Sequence, residues 1–203
     1  MQKSLLLLSV LAGSATLTHA QTASFGIKAG ASLTNLTGDG TGNTKNIFGF
    51  HGGLVANLAL NDAFSIQPEV LYSMKGTKTE GSFTGYSTKL TSRLHYIDVP
   101  VLARVNAGGL FFELGPQIGF LVAAKQKREV TGTGAGTSEQ DIKSGVRTVD
   151  FGYAAGLGYQ LSNGPGIGLR YNGGFIDTKN PSSSSAVRNS AFQLYVSYMF
   201  GGK

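Results

Sequence analysis

The chain has 203 residues, no cysteine, 30 glycines and a formal net charge of +6, with a mean hydropathy of +0.02. The lack of cysteine excludes a disulfide frame, a thiolate metal site and a cysteine-linked lipid anchor. The near-zero hydropathy, with no run after Ala20 approaching the ~20 apolar residues of a spanning helix, excludes a helical membrane bundle.

The first element is an export signal. Lys3 supplies a positive start, and Leu5, Leu6, Leu7, Leu8, Ser9, Val10, Leu11 and Ala12 form a short apolar core. Thr18-His19-Ala20 then offers a small-x-small cleavage site, so residues 1–20 are expected to be removed and 21–203 to form one domain.

Eight strands follow, each with side chains alternating between two faces. The first, near 25–33, sets Phe25, Ile27, Ala29, Ala31 and Leu33 on one face. The second, 47–60, aligns Phe48, Phe50, Leu54, Ala56 and Leu58; the third, 64–75, aligns Phe64, Ile66, Val70, Tyr72 and Met74. The fourth, 90–105, aligns Ile97, Val99, Val101, Ala103 and Val105. The fifth, 110–124, aligns Leu110, Phe112, Leu114, Ile118, Phe120 and Val122. The sixth, 149–161, aligns Phe151, Tyr153, Ala155, Leu157 and Tyr159; the seventh, 167–175, aligns Ile167, Leu169, Tyr171 and Phe175. The eighth ends the pattern with Phe192, Leu194, Val196, Tyr198 and Phe200.

The connections alternate in length. Asn61-Asp62, Asn106-Ala107-Gly108-Gly109 and Ser162-Asn163-Gly164-Pro165-Gly166 are tight turns. Longer polar segments lie near 35–46, 76–89, 125–148 and 177–190. Their Gly, Ser and Thr content predicts mobile loops without a fixed fold of their own. Short turns on one side and long connections on the other predict an all-β, eight-stranded antiparallel transmembrane β-barrel, both termini on the periplasmic side. A soluble lipocalin-like barrel shares the same alternation turned inside out, so periodicity alone does not separate the two. The aromatic final strand, the large aromatic-rich faces and the loop asymmetry favour the membrane.

Phe25-Gly26-Ile27-Lys28-Ala29-Gly30, Gln67-Pro68-Glu69-Val70-Leu71-Tyr72-Ser73, Tyr96-Ile97-Asp98-Val99-Pro100-Val101-Leu102 and Gly115-Pro116-Gln117-Ile118-Gly119 stand in order along the chain. With these stretches the chain resembles the PorT-like outer-membrane β-barrel family of Gram-negative bacteria. The resemblance covers essentially all of 21–203. It implies this fold and this location, and members tied to secretion and gliding imply a secretion-linked role; the expected task is non-enzymatic, in envelope structure, in surface interaction or as a secretion-linked component. The tail also resembles the terminal aromatic signal read by the barrel insertion machinery, except that Gly201-Gly202-Lys203 follow Phe200.

If the apolar faces meet lipid, Lys28, His51, Glu69, Asp98, Arg104, Glu113 and Arg170 point inward. An eight-stranded interior is just wide enough for side chains. Lys28, Glu69, Asp98, Arg104, Glu113 and Arg170 are therefore expected to form a polar lumen network. Pro68, Pro100 and Pro116 lie at similar height on three consecutive strands, which suggests a line of bulges or a local opening of the wall.

Beyond position 20, twelve of sixteen Lys/Arg fall in or beside the long segments, among them Lys75, Lys125, Lys127 and Arg128, against six acids. A basic rim suits lipopolysaccharide phosphates, with Lys125, Lys127 and Arg128 the expected contacts. Expected partners are outer-membrane lipid, lipopolysaccharide, the insertion machinery and an unidentified envelope protein. No nucleic-acid partner is expected, since no aromatic stacking motif interleaves the basic residues. No catalytic, metal or cofactor site is expected. His51 and His95 fall on opposite strand faces, and no closely spaced histidine pair exists. The alternative is a membrane-embedded lipid-modifying enzyme with His51 as base and a serine nearby.

Overall fold

A computed structural model describes residues 23–38, 41–132, 134–178 and 187–200. The expected signal, the serines at 182–185 and the tail 201–203 lie outside the described residues.

The strands are β1 (Ala23–Gly38), β2 (Thr44–Lys45), β3 (Ile47–Ala59), β4 (Phe64–Phe83), β5 (Tyr86–Ala107), β6 (Leu110–Gly132), β7 (Gly136–Asp141), β8 (Val149–Gln160), β9 (Pro165–Gly174) and β10 (Val187–Phe200). Eight of them form an antiparallel ring in the order β1-β3-β4-β5-β6-β8-β9-β10. β10 closes it on β1, in register from Phe25↔Phe200 to Gly38↔Val187. Closure leaves no strand edge in the wall, which lipid requires because it cannot hydrogen-bond a bare backbone.

The alternation resolves with apolar residues outside. Phe48 is 81% exposed, Phe192 66% and Leu114 60%. The intervening side chains of the same strands are buried, as with Glu113 and Gln117 on β6 or Gln193 and Tyr195 on β10. That order removes the lipocalin-like alternative, whose water-facing exterior would be polar. Outward rings cluster at both ends of the apolar band. Tyr171 meets Phe192 at 4.8 Å and Tyr153 meets Phe175 at 5.1 Å towards the long-connection end, while Tyr198 meets Phe200 at 5.1 Å at the other. These are the interfacial belts of a membrane barrel.

The three prolines open the wall without bulging it. Ladder pairing skips two positions at Pro68 between β3 and β4, at Pro100 between β4 and β5, and at Pro116 between β5 and β6. In each case it resumes in the same register. Each proline lacks the N–H that would face the preceding strand. The register shift in the wall lies elsewhere, between His95 and Tyr96 of β5. There β6 carries an extra residue, so Leu121 and Ala124 both turn inward. Lys143 Nζ hydrogen-bonds the Val122 carbonyl beside it at 3.0 Å.

The long polar segments depart from expectation. Residues 76–89 and most of 125–141 are paired strand, not structureless loop. β4 and β5 remain paired to Phe83↔Tyr86, and β6 stays on β5 to Tyr86↔Gly132. β2 adds to β4 through Lys45↔Lys78, and β7 adds to β6 through Lys127↔Glu139. The turn between Phe83 and Tyr86 is tight because Gly85 takes a φ of +86°, open to glycine at no steric cost. The result is a five-stranded blade that continues the wall beyond the apolar band. The eight β4 residues past Lys75 extend it by roughly 26 Å at about 3.3 Å each.

Candidate functional site

The candidate site is the lumen, whose side chains the alternation aims at one another from all eight strands. Its middle layer is an ionic cluster. Arg170 on β9 forks onto Glu69 of β4, Nη1 to Oε2 and Nη2 to Oε1 both at 2.8 Å, while its Nε donates to Glu113 Oε1 of β6 at 2.7 Å. Lys28 of β1 reaches Glu69 Oε1 at 2.6 Å. Tyr195 of β10 donates its hydroxyl to Glu113 Oε1 at 2.9 Å, and the Lys28 ammonium sits 4.0 Å from its ring centroid. Gln67 bridges to Glu69 at 2.7 Å. These residues are almost entirely buried. Buried charges persist only when paired and hydrogen-bonded, and here every carboxylate has several donors.

A second cluster sits nearer the blade. Lys75 Nζ lies 3.0 Å from Asp98 Oδ1 and 3.6 Å from Asp150 Oδ2, and 4.8 Å from the Tyr96 ring centroid. Asn189 donates to Asp150 Oδ2 at 2.9 Å, and Asn172 donates to Gln117 at 3.0 Å. A cavity of about 10 Å³ remains among them, about the room of one water. Beyond this layer, Leu94, Tyr96, Leu121 and Ala124 form an apolar cluster covered by Ile142 and Val146.

The structure thus brings Lys28, Glu69, Glu113 and Arg170 into one cluster. It joins Arg104 to them through Gln67, at 3.0 Å, and gives Asp98 to the other layer. Lys75 is a correction: it is not a rim cation but 3% exposed inside the barrel. Its odd-numbered parity with Glu69, Leu71 and Ser73 was the available signal. Asp150, Gln67, Tyr96 and Tyr195 were also missed as members of the lumen.

His51 is buried, its Nδ1 2.9 Å from Ser32 Oγ and its ring edge-on to Tyr195 at 6.4 Å. Its Nε2 has no hydrogen-bond partner among the described residues. His95 lies on the opposite face, its Nδ1 2.6 Å from the Tyr72 hydroxyl.

On the blade, the register places Lys45, Lys78, Lys89, Arg93, Lys125 and Lys127 on the face continuous with the lipid-facing wall. Arg128 faces the other way, so the expected trio is split. Lys125 pairs with Glu139 and Lys127 with Glu129, each at 2.9 Å. Lys45 and Lys78 pair with Glu80. Hydrogen bonds from these lysines hold the Glu80, Glu129 and Glu139 carboxyls below the usual carboxylate range, and Glu139 raises Lys125. Arg93 has no carboxylate at ion-pair distance among the described residues.

A polar, ion-paired interior beneath an apolar exterior is how a small barrel sits in the bacterial outer membrane. The family model for the outer membrane protein beta-barrel domain matches residues 19–180. The chain belongs to that family. Its fold is similar to that of Neisserial surface protein A, at a TM-score of 0.52 and 17% identity, covering 89% of this chain and 100% of that one. Ail, the attachment invasion locus protein of Yersinia pestis, aligns at a TM-score of 0.47 and 16% identity, over 87% of this chain and 98% of that one. The N-terminal β-barrel domain of Pseudomonas aeruginosa OprF aligns at 0.41 and 13%, over 87% and 97%. A comparison with curated protein sequences finds no match. The protein is a bacterial outer-membrane β-barrel.

Proposed function

We propose that the protein is a plugged, non-enzymatic barrel whose external blade rests on the lipopolysaccharide headgroup layer. One observation carries this reading: the blade continues the lipid-facing side of the wall with Arg93 and Lys125 paired across β5 and β6 in its first charged row. Cations just beyond an aromatic belt sit where lipid phosphates lie, and charge-assisted hydrogen bonds to phosphate are among the strong ones. Arg93 is the best placed of them, because Lys125 and Lys127 already share carboxylates.

The same reading includes export through a signal cleaved after Ala20, recognition of the Phe192–Phe200 strand by the insertion machinery, and kinship with PorT-like barrels. An envelope protein partner would meet the blade. The test is binding of lipopolysaccharide to the refolded barrel. Arg93→Gln combined with Lys125→Gln and Lys127→Gln should weaken it most at low salt, where screening is least. Unchanged affinity at low salt would remove the blade from this role. Planar-bilayer recording should show no stable porin-sized conductance, because the lumen is packed with long side chains.

The enzyme reading has one observation in its favour, the Ser32–His51 contact. Both side chains are 2% exposed, and His51 has no carboxylate hydrogen-bonded to it to orient the ring. A nucleophile walled into the plug has no route to a lipid acyl bond, so this pair is better read as part of the packing.

A further inference from the structure

Where the wall meets the blade, His95 of β5 stands on the outward face between the aromatic residues and the first charged row. Its Nδ1 lies 2.6 Å from the Tyr72 hydroxyl of β4, with the two ring centroids 5.8 Å apart. Phe50 of β3 meets the same tyrosine ring at 5.8 Å. The imidazole is half-buried, and Arg93, two residues on, is exposed.

The groups facing His95 are few. On β4 they are Tyr72 and Met74, the latter directly opposite. On β5 they are Arg93 and Ile97, and on β6 they are Ala123, directly opposite, and Lys125, one row on. The charged ones, Arg93 and Lys125, are both cations and pair across the β5–β6 ladder. The Glu139 and Asp141 carboxylates lie one strand further, on β7. The residues opposite are also short: Gly76 stands across from Arg93 on β4, and Ala123 across from His95 on β6. Same-face neighbours on a strand are about 6.6 Å apart, a gap that one phosphate group bridges with a hydrogen bond to each side.

We infer that Arg93, His95 and Lys125 form one seat for a lipid-borne phosphate, and that His95 takes up a proton from solvent as the phosphate enters. The inference rests on the lipopolysaccharide reading above and adds to it a third contact and a pH dependence. Imidazole is the side chain whose charge changes between pH 5 and 8, and an anion set beside it favours the charged form. The Tyr72 hydroxyl serves both states, since it donates to a neutral Nδ1 and accepts from a protonated one. The ring therefore keeps its place while Nε2, on its opposite edge, donates to the phosphate. Because the bound state holds the extra proton, affinity rises as pH falls through the imidazole range.

The test titrates the full barrel, refolded in zwitterionic micelles, with lipopolysaccharide at about pH 5.5 and about pH 7.5, either side of the ordinary imidazole midpoint. Lipid phosphates titrate in the same range, so the comparison is with His95→Gln, in which the ligand's own pH dependence remains. The wild type should gain about tenfold more affinity at the lower pH than the variant does, the counterpart of one pH unit at the ring. Heat-modifiable migration reports folding. Nuclear magnetic resonance of the wild-type barrel reads the ring directly, whether or not His95→Gln folds. Its midpoint should rise by about one pH unit with lipopolysaccharide present, and the buried His51 ring should not respond. Equal gains in the two proteins, or an unmoved His95 midpoint, overturn the inference and leave the lipopolysaccharide reading standing. A wild type that binds at neither pH, or a triple variant (Arg93→Gln, Lys125→Gln and Lys127→Gln) that binds at low salt as well as the wild type, overturns both.

Discussion

Below Lys75 and above it, β4, β5 and β6 are the same strands under two sets of rules. Inside the membrane their outward residues are apolar, and their inward ones are buried ions and amides. In the blade both faces are polar, and its ion pairs, such as Lys125–Glu139, have side chains about half exposed. An ion pair in the lumen has no water to fall back on; one on the blade has it on every side. The same chemical pair is therefore a requirement in one region and an adjustment in the other.

The largest expected effect breaks a lumen pair. Glu69→Ala strands Lys28 as a buried cation, leaves Arg170 with Glu113 alone and should destabilise by about 3–5 kcal/mol, far more than Glu139→Ala on the solvent-exposed blade. Urea unfolding from lipid bilayers measures both, and similar losses would erase the distinction drawn between the two regions. Next comes orientation in the wall. Leu114→Arg puts a charge against hydrocarbon, a cost of about 2–4 kcal/mol near midplane, whereas Gln117→Arg enters a polar lumen. The first should impair insertion more, read as the folded fraction on a gel; a reversed order would contradict the assigned faces. His51→Ala removes a ring from the plug, with some loss of stability, and should leave the lipid acyl pattern of expressing cells unchanged. Loss of a modification by a folded His51→Ala barrel would restore the enzyme reading. The smallest effect is acidic pH on the blade. Lysines hold Glu80, Glu129 and Glu139 below their unfolded range. Their contribution is complete above the unfolded carboxylate pKa of about 4.3 and is lost as pH falls through the lowered folded values. Amide exchange in the blade should rise there well before the wall responds.

The wall was legible because lipid imposes an alternation strict enough to see: Phe192, Leu194 and Val196 announce an outer face, and Lys28, Glu69, Asp98, Arg104, Glu113 and Arg170 fall opposite by parity. The blade was hidden because water accepts polar side chains on both faces. Thr77, Lys78, Thr79 and Glu80 therefore show no alternation and resemble a loop. Lys75 was lost at that border, assigned to the polar stretch it adjoins. Arg128 was grouped with Lys125 and Lys127 by proximity, although neighbouring residues on a strand face opposite ways. Which inward charges share a layer depends on strand tilt and stagger, so the division between Glu69 and Asp98 was not readable from spacing alone. The extra residue at Val122 leaves no mark in sequence.

The stepped skips at Pro68, Pro100 and Pro116 divide the wall mechanically. The β6–β8, β8–β9, β9–β10, β10–β1 and β1–β3 seams pair without interruption, while the three consecutive seams from β3 to β6 each lose two rungs. The barrel is thus a stiff arc joined to a compliant one, and the blade grows from the compliant arc. A pull on the blade is transmitted to the strands whose zipper already has missing teeth.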